Sequence, residues 1–176
     1  MKKISIILIM QLFLFCYDGV FAETKGLGAA AWFKMGYAYY QEKEYRDAVY
    51  AYNRAIELDP ENSWVYYNRG RSYQKLGDYN QAILDYTTAI ELDPKYVWAY
   101  YNRARSYQEL GNHNQAIPDY TKVIKLDPKN VWAYYSRGFS YQSLDNLEEA
   151  FSDYKAAAKL GFKPAQDFLR KKGIDW

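Results

Sequence analysis

The sequence predicts an all-α fold, a stack of four helical hairpins closed by a short C-terminal helix. Three observations predict it: a long phrase recurs at a fixed period, small and large residues return at helical spacing inside each copy, and turn formers fall at the same places in every copy. The phrase reads "SWVYYNRGRSYQKLG" from Ser63, "VWAYYNRARSYQELG" from Val97 and "VWAYYSRGFSYQSLD" from Val131, an even period of about 34 residues. At that offset Tyr66–Trp98 and Tyr100–Trp132 differ at only nine positions, among them Gly70/Ala104, Lys75/Glu109 and Leu84/Pro118. A more divergent first copy covers Ala31–Pro60, and a fourth ends near Leu160. A repeat of this length is a unit that cannot bury its apolar face alone and must stack on its neighbours.

The chain opens with a segment that lies outside this fold. Lys2 and Lys3 precede an apolar run from Ile4 to Phe15, and "VFA" ends at Ala22. This is the pattern of a secretory signal peptide spanning residues 1–22. The run falls short of the roughly 20 apolar residues that a membrane-crossing helix needs, so no stable span is expected after cleavage. Bulky Phe15 before Cys16 argues against lipid attachment. Cys16 is the single cysteine, so cleavage after Ala22 leaves a mature chain with neither a disulfide nor a thiolate metal site. The expected location is the periplasm or the medium of a bacterial cell, and stability has to come from packing.

After a short linker, 23–28, the repeats are expected at 29–62, 63–96, 97–130 and 131–162. In the second repeat Tyr66, Gly70 and Tyr73 share one face of a first helix, and Ala82, Tyr86 and Ala89 one face of a second. Gly77 and Gly111 separate the two helices. Asp59-Pro60, Asp93-Pro94 and Asp127-Pro128 stop the second helix, because a residue before proline is pushed out of the α region. Residues 163–176 read as a cap: Pro164 opens a helix, Gly173 closes it, and Phe168 and Leu169 offer an apolar side to the exposed flank of the last repeat. Pro118 falls well inside a second helix and predicts a bend on the outer surface.

These columns resemble those of the tetratricopeptide repeat. Trp32, Met35, Gly36 and Tyr39 are similar to its first-helix pattern, and Ala48, Tyr52, Ala55 and Pro60 to its second. The resemblance recurs at Gly70, Tyr73, Ala82, Tyr86, Ala89 and Pro94, and again through the third and fourth copies. It implies a right-handed superhelical stack whose first helices line a concave surface that receives an extended peptide or a segment of another protein.

Arg69, Arg103 and Arg137 interrupt the aromatic run in one column, and Asp85, Asp119 and Asp153 follow them at one constant separation. The first copy has Met35 and Ala51 there, so the two charges are lost together. That covariation predicts a structural ion pair inside each hairpin rather than a ligand contact.

A different stripe of the first helices carries the candidate groove. It consists of Trp64, Tyr67, Asn68, Arg71 and Gln74, then Trp98, Tyr101, Asn102, Arg105 and Gln108, then Trp132, Tyr135 and Phe139. Asparagine can donate to and accept from a peptide main chain, arginine can pair with a carboxylate, and Trp and Tyr give contact area at low entropic cost. For the three tryptophans, packing between repeats stays open beside the groove reading. Family members that clamp a terminal carboxylate use lysine and asparagine at set places. Only Asn68 is similar to one of these, and Phe33, Tyr37 and Trp98 depart from the pattern, which argues against a chaperone-tail ligand.

Composition narrows the alternatives. Twenty-three basic and 21 acidic residues leave a net charge of +2, too balanced for nucleic acid or an anionic membrane as the main partner. The lone His113, at a turn, has no Ser/His/acid cluster, glycine-rich phosphate loop or metal-ligand spacing around it, so the sequence predicts neither catalysis nor a cofactor or metal. The 21 Tyr and 5 Trp suit an interface. The expected function is a non-enzymatic protein- or peptide-binding scaffold. A glycan or peptidoglycan-fragment binder and a self-associating envelope component remain as alternatives.

Overall fold

In the computed structural model, which describes residues 26–176, the chain folds into nine helices among the described residues. They are α1 (Ala29–Gln41), α2 (Tyr45–Leu58), α3 (Ser63–Lys75), α4 (Tyr79–Leu92), α5 (Val97–Glu109), α6 (His113–Leu126), α7 (Val131–Ser143), α8 (Leu147–Lys159) and α9 (Lys163–Lys171). Consecutive helices pack on one another along the whole chain, and the first helices of adjacent repeats also touch, α1 with α3 and α3 with α5. The expected signal segment, 1–22, lies outside the described residues.

Each turn within a hairpin is built the same way. The amide of Asp78 donates to the Tyr73 carbonyl and that of Gly77 to Gln74, which satisfies two carbonyls at the end of α3. The residue between must take a positive φ, and Gly77 (80°) and Gly111 (73°) do so freely. In the outer repeats Lys43 (66°) and Asp145 (60°) occupy that place under backbone strain. Between hairpins, the carboxylates of Asp93 and Asp127 accept from the amides of Lys95 and Lys129, forming a turn just past the second helix.

Inside each hairpin a small residue faces a tyrosine. Tyr52, Tyr86 and Tyr120 are fully buried, and Tyr154 nearly so. A Cβ added at Gly36 would come within 2.7 Å of the Tyr52 ring, and one at Gly70 within 2.9 Å of Tyr86. The aromatic ring fills the space that the missing methyl leaves, so a side chain added at either glycine would force that ring to shift. Ala104 takes this place in the third repeat, also fully buried.

The arginine column forms the predicted pairs and does more. Arg69 Nε and Nη2 donate to the two oxygens of Asp85 at 2.9 and 2.6 Å, Arg103 to Asp119 at 2.8 and 2.7 Å, and Arg137 to Asp153 at 2.8 Å each. The third nitrogen of each guanidinium reaches back into the preceding repeat, to Asn53 (2.6 Å), Thr87 (2.9 Å) and Thr121 (2.8 Å). One side chain therefore ties three helices and joins two repeats.

A second ladder uses the buried tyrosines. The hydroxyls of Tyr86, Tyr120 and Tyr154 donate to Gln74, Gln108 and Gln142. Gln74 and Gln108 then donate across the repeat boundary, to Ser106 at 3.3 Å and Ser140 at 2.7 Å. In the first repeat Tyr40 stands in the glutamine column, and the Tyr52 hydroxyl is buried without a partner.

Two local expectations meet the structure at the C-terminal half. Pro118 does not break α6, which runs through it at the same 14-residue length as α4. Both Pro118 and Asn114, whose carbonyl loses its donor, are exposed, so water can replace the missing bond. The terminal helix α9 buries Ala165 and Leu169 completely, stacks Phe168 on Phe151 and sets it at a tilt against Tyr154.

Two outcomes follow from this packing. The Asp119 side chain is only 8% exposed, and removing it leaves the Arg103 guanidinium without its carboxylate, so Asp119→Ala should cost about 3–5 kcal/mol in a denaturant melt; a midpoint equal to wild type would refute the pair's structural role. Burial pushes the hydroxyls of Tyr52, Tyr86, Tyr120 and Tyr154 well above the ordinary 10.0. Their folded values lie above their unfolded ones, so the stability they contribute is complete below about pH 10 and falls as pH rises past it. Phenolate absorbance and helical signal followed together in an alkaline titration should show these tyrosines ionising only as the helices unfold.

Candidate functional site

The first helices of repeats one to three enclose a groove of about 1090 Å³. α1 contributes Phe33, Tyr37 and Tyr40 to its wall, α3 contributes Trp64, Tyr67 and Arg71, and α5 contributes Trp98, Tyr101 and Arg105. Nine residues of the predicted stripe line it: Trp64, Tyr67, Asn68, Arg71 and Gln74 from the second repeat, and Trp98, Tyr101, Asn102 and Arg105 from the third. Gln108, Trp132, Tyr135 and Phe139 do not.

The reason lies in where the fourth repeat meets the cap. Phe162, in the turn before α9, is buried against Trp132 at 4.5 Å and Tyr135 at 5.2 Å between ring centroids. The two aromatics that would continue the groove are covered there on one side. Phe139 is half-exposed beside His113. Gln108 is spent on Ser136, Ser140 and Tyr120.

Within the groove, residues of one column differ in what they leave free. Asn68 is 3% exposed, and its amide donates to the Trp64 carbonyl at 2.8 Å, so it is not the main-chain reader that its position suggests. Gln74 is committed to Tyr86 and Ser106. Arg71 lies 4.4 Å above the Tyr40 ring, donates to the Tyr40 hydroxyl at 3.0 Å and to Asn68 Oδ1 at 3.3 Å. Asn102 donates to the Tyr67 hydroxyl at 3.0 Å. Arg105, by contrast, is exposed and makes no hydrogen bond or ion pair among the described residues.

The tryptophans resolve toward the open side. Trp64 is 60% exposed, and Trp98 and Trp132 are each 55% exposed, so none is a spacer buried between repeats. Trp64 leans on Tyr96, with 5.4 Å between centroids, and Tyr96 in turn lies 4.8 Å from Tyr67. Tyr67 and Tyr101 are half-buried against Tyr86 and Tyr120, which makes them the groove floor.

Tyr96 is a groove residue that the stripe did not reveal. Asn62 and Asn130 hold its column in the flanking repeats, and their side chains cap α3 and α7 by accepting from Trp64 and Ala133 amides. Tyr96 provides no side-chain cap to α5 and turns inward, 7% exposed, its hydroxyl buried and unpaired. A lost cap typically costs about 1 kcal/mol. That break in an otherwise regular column was the available signal. Tyr40, Lys75, Tyr79 and Glu109 also line the groove and were likewise outside the predicted set.

Stacked helical hairpins whose first helices share one concave wall define a helical-repeat protein. Family comparison agrees with this architecture: the TPR repeat model matches residues 36–77 and 70–111, and tetratricopeptide repeat models match 97–130 and 119–151. The chain belongs to the tetratricopeptide repeat family. Compared with curated proteins, its sequence finds no match. Among solved structures, MamA is similar in fold at a TM-score of 0.77 and 24% identity, over 94% of this chain and 99% of that one. The first TPR of Spaghetti (RPAP3), bound to the HSP90 peptide SRMEEVD, is 27% identical over 66% of this chain and 93% of its own, at a TM-score of 0.65. The Arabidopsis OM64 TPR domain is 30% identical over 65% and 94%, at 0.63.

Proposed function

We propose that this chain is a non-enzymatic, exported interaction module that holds an extended peptide or protein segment in the groove of its first three repeats. The observation that carries the reading is the pairing of two exposed indoles, Trp64 and Trp98, with an uncommitted guanidinium, Arg105, in one concave surface. Large aromatics left in water are unfavourable unless something covers them, and Trp, Tyr and Arg are the residues that carry most binding energy at interfaces. A related domain in complex with a peptide, the RPAP3 repeat, supports the ligand class. In this chain Asn68 is bonded internally and the aromatic Trp98 and Phe33 line the groove, which favours aromatic contact over a clamp on a chain terminus. Among the described residues no grouping of His, Cys, Asp or Glu could hold a metal, and no helix is long and apolar enough to cross a membrane.

Export rests on Lys2, Lys3, the run Ile4–Phe15 and the small-residue end at Ala22. Protein recovered from its native cells should begin at Glu23 by mass spectrometry; an intact Met1 end on the recovered protein would remove this part of the proposal.

Trp98 and Arg105 are both exposed, so Trp98→Ala combined with Arg105→Ala should leave the thermal melt nearly unchanged while abolishing capture of the native partner. Tyr101 is a poorer probe, since it packs on buried Tyr120. Undiminished capture by the double variant would reject the groove, and quenching of tryptophan fluorescence by neutral oligosaccharides alone would favour a glycan ligand.

A further inference from the structure

The polar inventory of the groove separates groups already used from groups still free. Three cations line it, Arg71, Lys75 and Arg105, against one carboxylate, Glu109. Without the signal segment, which carries Lys2, Lys3 and Asp18, the chain has a net charge of +1, so this local excess of two positive charges makes the groove more positive than the rest of the mature sequence. Arg71 is engaged by Tyr40 and Asn68. Arg105 and Lys75 are exposed and form no ion pair among the described residues, and Arg105 does not pair even with Glu109, one turn further along α5. The two exposed indoles share the same surface.

Building on the peptide-groove reading, we infer that the groove selects extended segments with an acidic side chain inside the segment, not at its terminus. The Arg105 guanidinium reads the carboxylate with help from Lys75, and a neighbouring apolar side chain sits on Trp64 and Trp98. A guanidinium presents paired donors that match the two oxygens of a carboxylate, and the bond is charge-assisted. An exposed ammonium adds charge without fixing orientation, so Lys75 raises affinity for acidic segments without choosing among them. Arg71 is held on the Tyr40 ring with two of its N–H donors committed to Tyr40 and Asn68, so it contributes chiefly to the field and Arg105 is the freer of the two to read a ligand.

The test uses the full chain and an array of short peptides, all N-acetylated and C-amidated, that combine Phe or Leu with acidic, basic or neutral polar residues. Retained peptides should be acidic, and their retention should weaken as salt is raised. Arg105→Ala should lower binding of the acidic set about tenfold or more, Arg105→Lys should restore only part of it, and Lys125→Ala, a charge removal on exposed α6 surface, should change nothing. Equal retention of neutral and basic peptides, or an acidic preference that survives Arg105→Ala, overturns the inference while leaving the groove in place. If no peptide of any composition is retained, the groove reading fails and this inference falls with it.

Discussion

The stack depends on one side chain used three times. Arg69, Arg103 and Arg137 each close their own hairpin through an aspartate and then fasten that hairpin to the one before it. A buried aspartate alone would be costly, and an ion pair in a low-dielectric setting is stabilising only when the geometry is good and the remaining donors are met. Both conditions hold here: the contact is bidentate, and the third guanidinium nitrogen finds a hydroxyl or amide oxygen. The guanidinium also lies over the preceding tyrosine, 5.5 Å from the Tyr66 ring and 5.7 Å from Tyr100. The interaction is thus a register device. It can form only if each repeat sits on its neighbour with one relative rotation, and that rotation is what aligns the first helices into a groove wall.

How the ladder begins and ends explains the irregularities of the outer repeats. Met35 and Ala51 replace the pair in the first hairpin among the described residues, and with the arginine goes the third bond that it makes elsewhere. Lys155 stands in the Asn53, Thr87 and Thr121 column of the fourth repeat, and Lys171, not an arginine, follows it at the corresponding separation. α9 instead covers that end with fully buried Leu169 and Ala165. The contacts between successive hairpins are partly polar and bonded, whereas the contact of α9 with the fourth hairpin is apolar, as expected where a single helix covers the flank of a repeat.

The fold was legible because repetition provides internal controls. Columns that covary, such as Met35/Ala51 against Arg69/Asp85, identify contacts within one chain, and the glycine, proline and small-residue columns fix where helices end and how closely they pack. The link from Arg69 back to Asn53 was written in the same spacing, run in the other direction, but an amide or hydroxyl in a helix has too many solvated alternatives to announce itself. The groove was legible only in outline. A helical stripe shows which residues share a face, not which of their polar atoms are already satisfied inside the fold, so Asn68, Gln74 and Gln108 look like readers in sequence, whereas in the structure Asn68 bonds within its own helix and the two glutamines tie adjacent repeats.

That difference explains why two arginines in one column have different chemistry. In the repeat before Arg71 the facing residue is Tyr40, whose ring and hydroxyl are free to hold the guanidinium because the first repeat has no glutamine there. In the repeat before Arg105 the same column holds Gln74, and its amide is already taken, the oxygen by Tyr86 and the nitrogen by Ser106. The ladder that stiffens repeats two and three therefore engages Gln74 elsewhere, and Arg105 makes no hydrogen bond among the described residues. A tyrosine in place of glutamine in the first repeat, itself on the groove wall, decides which of two identical side chains is available to bind a ligand.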